Sequence, residues 1–159
     1  MLTIKNLQKK YDDFNLSIEE LTLSEGETIA VFGSNGAGKT TLLRCILNLI
    51  NFDEGEIEIF DCNITTSEEW KPITNSYLDE RFLIDFLTPE EFLSFTLEAY
   101  EQPSTNDLWG DFLETTYHQK LIRDLSTGNQ QKTGILSAVI TNPKLLILDE
   151  PFANLDPGS

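Results

Sequence analysis

Eight residues, Gly33-Ser34-Asn35-Gly36-Ala37-Gly38-Lys39-Thr40, limit what this chain can become more than any other stretch. Their glycines permit backbone conformations that turn successive N–H groups inward. Residues 28–32, Thr-Ile-Ala-Val-Phe, form a short apolar run fit for a buried strand. Residues 39–50 have helical spacing, with Leu42, Leu43, Ile46, Leu47 and Ile50 on one stripe. Strand, glycine-rich loop and helix together make a Walker A loop, in which loop amides and the positive end of the helix receive phosphate. In such a loop Lys39 reaches the β- and γ-phosphates of a nucleotide and Thr40 ligands Mg²⁺. Thr41 follows in the same first turn and is counted with the nucleotide-binding residues.

A second stretch completes the chemistry. Leu145-Leu146-Ile147-Leu148-Asp149-Glu150 reads as a buried strand that delivers two carboxylates at its C-terminal end. Open α/β sheets bind ligands at that end. In a chain that already holds a Walker A loop this is a Walker B strand. Asp149 would hold Mg²⁺, directly or through water, and Glu150 would orient or deprotonate the attacking water.

The rest of the chain fits an α/β fold. Residues 2–6 and 14–23 alternate as strands, Asp53-Glu54-Gly55 is a turn, and 56–60 alternate again. Thr88 and Glu91 make a capping box, with Pro89 at the first helical position and Phe92, Leu93, Thr96, Ala99 and Tyr100 as the apolar stripe. A second helix carries Leu108, Trp109, Phe112, Leu113 and Thr116 on one face, and a third starts near Ser126 and stops before Asn142-Pro143. Strands alternating with helices predict a mixed or parallel sheet with a helical insertion from about Thr88 to Lys120.

Composition narrows the function. The 159 residues hold 11 Lys+Arg against 27 Asp+Glu, a net charge of −16, so no nucleic-acid partner is expected. The charge is local: between Cys45 and Gln119 stand 17 acids and two bases, Lys71 and Arg81, a net of −15. No apolar run approaches the ~18 residues of a membrane span, and residues 1–5 show no secretory signal. Cys45 and Cys62 lack metal-ligand spacing.

With both Walker motifs in place, the sequence resembles the ATPase subunits of ATP-binding cassette (ABC) transporters from Leu2 to Asp156. Leu125-Ser126-Thr127-Gly128-Asn129-Gln130-Gln131-Lys132 looks like the family's signature, in which Ser126 and Gly128 would bind the γ-phosphate of ATP held by a partner subunit. Asn129 stands where the family usually has Gln. Ala153-Asn154-Leu155-Asp156 resembles the D-loop. Tyr11 sits at the place of an aromatic that stacks on adenine, and Tyr77-Leu78-Asp79-Glu80 resembles the Q-loop, with Glu80 beside the metal in place of Gln.

The resemblance implies a P-loop ATPase domain of the ABC type over 1–159, with an ATP-binding core at 1–75 and 125–159 and a Q-loop and helical subdomain at 76–124. It implies ATP and Mg²⁺ as cofactors, a second ATPase subunit and a transmembrane permease as partners, and a place on the cytoplasmic face of the membrane. The family continues past the D-loop to a strand ending in a switch His. His118 precedes the signature and is expected to be a surface side chain. A sheet lacking the C-terminal strands would leave backbone unpaired, so a fragment, or a sheet completed by another chain, is expected, with slow turnover or none by the 159 residues. Two other readings stay open: a soluble ABC-type ATPase in DNA repair or on the ribosome, and a non-catalytic nucleotide-binding module.

Overall fold

The computed structural model describes residues 1–103 and 119–153. The chain divides into two compact units, Met1–Ile73 and Thr74–Ser159. The residues 108–116 expected to be helical, His118 and the D-loop residues Asn154, Leu155 and Asp156 lie outside the described residues.

The first unit is built on an antiparallel sheet. Strands β1 (Leu2–Tyr11) and β2 (Phe14–Leu23) form a hairpin, and β3 (Glu54–Ile59) and β4 (Cys62–Asn63) extend it in the order β2-β1-β3-β4. Leu2 and Ile4 of β1 face Ile59 and Ile57 of β3, and all four are buried. The inward set then shifts to Leu7, because β1 bulges between Lys5 and Gln8. An extra residue in one strand bends it and changes which side chains face inward. Asn6 in the bulge has φ +48°, and opposite it Gly55 has φ +104°. A Cβ at Gly55 would meet the Asn6 carbonyl oxygen at 2.5 Å. Gly55 is therefore a close-approach residue inside β3 and not part of the turn expected at 53–55. That junction is pinned by Asp53, whose amide donates to the Gln8 carbonyl (2.8 Å) and whose carboxylate accepts from the Lys10 amide (2.6 Å).

Helix α1 (Lys39–Ile46) buries Leu42, Cys45 and Ile46. It ends four residues before the Ile50 expected from its apolar stripe. The cause is Asn48, at φ +52°. Its amide donates to the Cys45 carbonyl (3.0 Å) and the Leu49 amide to the Arg44 carbonyl (2.9 Å), the paired bonds of a Schellman ending. The Asn48 side chain then donates to the Ile64 carbonyl (3.0 Å).

Residues 28–32 are not a buried strand. They join no ladder among the described residues and are exposed throughout, Phe32 to 90%. Among the described residues their apolar pattern has no neighbouring strand to lie against, and a strand is defined by its hydrogen-bonded neighbours.

The second unit holds a parallel pair, β5 (Thr74–Tyr77) and β6 (Leu145–Leu148), in register from Thr74↔Leu145 to Tyr77↔Leu148. β6 buries Leu145 and Ile147, while Leu146 is 40% exposed, so this strand is covered on one face and not two. Helix α2 (Pro89–Ala99) opens on the expected capping box: the Glu91 amide donates to Thr88 Oγ1 and the Thr88 amide to the Glu91 carboxylate (2.8 Å). Its buried stripe is Phe92, Leu93 and Leu97, with Ala99 exposed. Helix α3 (Thr127–Ile140) starts at the Ser126 cap and stops at Thr141. Phe92, Leu93, Leu97, Ile122 and Leu125 form the core of this unit, against which Leu136 and Ile140 of α3 pack. Asn75 of β5 donates to the Ser137 carbonyl (3.2 Å) and to Thr141 Oγ1 (2.9 Å), tying the sheet to α3. Among the described residues no helix is long and apolar enough to cross a membrane.

Candidate functional site

In the first unit the glycine-rich loop closes around its own lysine. Lys39 Nζ donates to the carbonyls of Gly33 (3.0 Å) and Ser34 (3.3 Å), and the Ala37 amide donates to the Ser34 carbonyl (3.1 Å). Gly38 is the N-cap of α1, with φ +93°, and no side chain caps the helix there. The cap residue itself thus brings no side chain to the first turn of α1, which suits a helix end that receives an anion.

Gly38 also carries a constraint that the motif does not reveal. A Cβ at this position would lie 2.5 Å from Phe14 Cζ. Phe14 opens β2, and its ring stands 6.4 Å from that of Tyr11 across the hairpin. Tyr11 is half exposed and has Lys9 Nζ 5.2 Å from its ring centroid. The hairpin tip therefore fixes the aromatic expected to meet the base and, through Phe14, touches the loop expected to hold the phosphates. The alternation over 14–23 marks Phe14 only as a strand residue and does not reveal its approach to Gly38.

In the second unit a cavity of about 150 Å³ is lined by Tyr77, Leu78, Asp79, Glu80, Thr127, Gln131, Asp149, Glu150 and Ala153. It brings together the Walker B carboxylates, the Glu80 segment and the start of the signature helix. The parallel ladder explains the placement of the first two. The Asp149 amide donates to the Tyr77 carbonyl (3.0 Å), so both strands release their chains at the same level. Glu150 takes φ +44° there, in the left-handed region that side-chain-bearing residues rarely enter. Glu80 opens a short 3₁₀ turn, Glu80–Phe82, capped by Asp79, which also accepts from Arg81 Nε (2.9 Å) and Nη2 (2.7 Å). That carboxylate holds the Arg81 guanidinium above its usual pKa. Burial, with Glu80 and Asp79 nearby, pushes the Tyr77 phenol up to about 12.

Ser126 behaves as the signature reading expects of a cap: its Oγ accepts from the Asn129 amide (3.3 Å), and the first turn of α3 holds no acid that would repel an anion. Gly128 lies in that turn, half buried. Gln131, unassigned by sequence, donates from Nε2 to the Glu150 carbonyl (3.1 Å). Of the D-loop only Ala153 is described, and its amide also donates to the Glu150 carbonyl (3.0 Å). Among the described residues no group of three or more His, Cys, Asp or Glu side chains could hold a metal. Thr40 in the first unit, and Asp149 and Glu80 in the second, are hard oxygen donors of the kind that suits Mg²⁺, which keeps several waters and binds through one or two carboxylates.

The family pattern described as "ABC transporter" matches residues 16–153. The chain belongs to the ABC transporter family. Among its relatives it is 36% identical over 173 residues to YhaQ of Bacillus subtilis, an uncharacterized ABC transporter ATP-binding protein, covering 99% of this chain and 54% of that protein. It is 33% identical to the molybdate/tungstate import ATP-binding protein WtpC of Pyrococcus horikoshii, covering 98% of this chain and 47% of the other. The chain thus spans about half the length of these two curated relatives. A solved ATP-binding subunit of an ABC transporter superposes with a TM-score of 0.87 at 29% identity, over 99% of this chain and 69% of that one. A dimeric ATP-binding cassette bound to ADP and Pi shares the fold, with a TM-score of 0.81 at 24% identity and coverage of 99% and 77%. The P-loop ABC ATPase fold expected from the motifs is the fold observed.

Proposed function

We propose that this chain binds and hydrolyses ATP to drive transport through a membrane partner. The observation that carries the reading is the loop closed on Lys39. Its ammonium rests against the Gly33 and Ser34 carbonyls, beside a helix start that no side chain caps. Such a cradle suits the β- and γ-phosphates, with Gly33 to Gly38 supplying amides and Thr40 and Thr41 the first helical turn. Tyr11 would stack on the base.

Thr40, Asp149 and Glu80 are the proposed Mg²⁺ ligands, and the ion would neutralise charge on the phosphate oxygens. Glu150 takes the role of general base toward the attacking water. Ser126, Gly128 and Asn129 would meet the nucleotide of a second ATPase subunit, with Asp156 in the crossing loop. The relatives named as import ATP-binding proteins support a transmembrane permease as partner, and with it a place on the cytoplasmic face of the membrane.

Calorimetry of ATP binding tests the cradle. Lys39→Ala is expected to weaken binding severely, and unchanged affinity would remove the phosphate-binding assignment. In a full-length context Glu150→Gln is expected to keep ATP affinity and lose most turnover. Near-normal hydrolysis by that variant would move the general base elsewhere.

A further inference from the structure

Glu150 is held in an unusual way. Its left-handed backbone, φ +44°, costs a side-chain-bearing residue about 1 kcal/mol or more. Such a conformation persists only where its surroundings over-determine it. Here two donors converge on one carbonyl: the Ala153 amide at 3.0 Å and Gln131 Nε2 at 3.1 Å. The first belongs to the turn itself. The second comes from α3, 19 residues earlier in the chain.

Gln131 is 5% exposed and lines the same cavity as Asp149 and Glu150. The amide end that faces the Glu150 carbonyl must be the NH₂, since two carbonyl oxygens repel. The other end, Oε1, is buried with no hydrogen-bond partner. Buried polar atoms are normally satisfied, and leaving one unsatisfied costs about 1–3 kcal/mol. A leucine or methionine would fill this volume without that cost, so filling does not account for the amide. The bond to Glu150 does.

We infer that Gln131 is a positioning residue that sets the backbone of Glu150 and thereby aims its carboxylate at the reacting water. It acts through the carbonyl and touches no reacting atom. The inference rests on Glu150 being the general base.

The experiment compares steady-state ATPase kinetics of the purified protein with those of Gln131→Leu, Gln131→Glu and Glu150→Gln. Gln131→Leu keeps the volume and removes the donor. Its kcat is expected to fall about tenfold or more, equivalent to about 1.4 kcal/mol in the barrier, with the KM for ATP within about twofold of the parent. Gln131→Glu distinguishes positioning from support of the fold. A carboxylate cannot donate to the Glu150 carbonyl, but a protonated carboxyl can, and burial beside other acids favours protonation. The ratio of its kcat to the parent's should therefore rise as pH falls from about 8.5 to about 6.5, while the ratio for Gln131→Leu stays flat. Parent-like kcat in Gln131→Leu, or a flat ratio for Gln131→Glu, overturns the inference.

If Gln131→Leu does not fold, the pH ratio of Gln131→Glu decides alone. Failure of the underlying reading shows separately, as parent-like turnover in Glu150→Gln; in that case, or where the 159 residues turn over too slowly to measure, kinetics do not bear on the tie. Hydrogen exchange at the Ala153 amide then decides. Faster exchange in Gln131→Leu at equal global stability sustains the tie to Glu150, and equal exchange overturns it.

Discussion

Tyr77 and Gly134 meet where β5 crosses α3. A Cβ on Gly134 would overlap the Tyr77 ring, so this helical glycine marks a close approach. Gly134→Ala should gain about 0.5–1 kcal/mol of helix propensity and lose more to overpacking against the ring, typically about 1–3 kcal/mol, so denaturant unfolding should show a net loss of stability. The phenol itself predicts an alkaline limit. Its pKa is about 12 in the fold and near 10 when unfolded, so the unfolded chain releases this proton first as pH rises. The contribution to stability is full below pH 10 and is lost as pH climbs through about 12. Urea midpoints should fall over that window, and Tyr77→Phe should flatten the fall. The structural places of Lys39 at the start of α1, of Ser126 as the cap of α3 and of Glu150 just past β6 were legible in the sequence. Phe14 and Gln131 were not, because each acts by touching one backbone atom group far along the chain, which no local pattern encodes.

Among the described residues all three α-helices end on a left-handed residue that is not glycine. Asn48, Glu101 and Asn142 have φ values of +52°, +53° and +48°. Asn tolerates this conformation better than most residues, and Glu does not. Past α2 the Glu101 amide donates to the Glu98 carbonyl (3.0 Å) and the Gln102 amide to the Leu97 carbonyl (2.9 Å), so the ending is fully formed despite the residue. Glu101→Gly should therefore raise the melting temperature, by roughly 0.5–1 kcal/mol of stability, whereas the same change at an ordinary helix interior lowers it. Helix starts were legible because Thr88 and Ser126 announce themselves by side-chain type. The early stop of α1 was not, since its apolar stripe runs on to Ile50 while the chain has already turned at Asn48. β5 was missed because Thr-Asn-Ser-Tyr has no apolar run. It becomes a strand by pairing with β6.

On the scale of the whole molecule, the fold class followed from two motifs that bracket most of the chain, while the sheet did not assemble as their flanking strands suggested. The charge is as uneven as composition implied. A net of −15 falls between Cys45 and Gln119 in a chain of −16. Cytoplasmic loops of membrane proteins are rich in Lys and Arg, so a permease partner would meet this acidic stretch with basic segments and dock faster for it. Glu90 and Glu98 are exposed on α2, whereas Glu91 is committed to the capping box. Glu90→Lys with Glu98→Lys should slow association with the membrane subunit and reduce its salt dependence. Equal rates for both proteins at all ionic strengths would leave the acids a role in solubility alone.

The open run at 28–32 has a thermodynamic consequence. It leads directly into the loop that grips Lys39, yet no ladder among the described residues braces it. Any strand that pairs with it stiffens the entrance to the phosphate cradle and removes entropy that a nucleotide would otherwise have to remove on binding. Linkage then runs in both directions: a nucleotide in the cradle must tighten that pairing by the same factor by which the pairing tightens the nucleotide. Pairing of residues 28–32 and occupancy of the loop would then be two halves of one equilibrium.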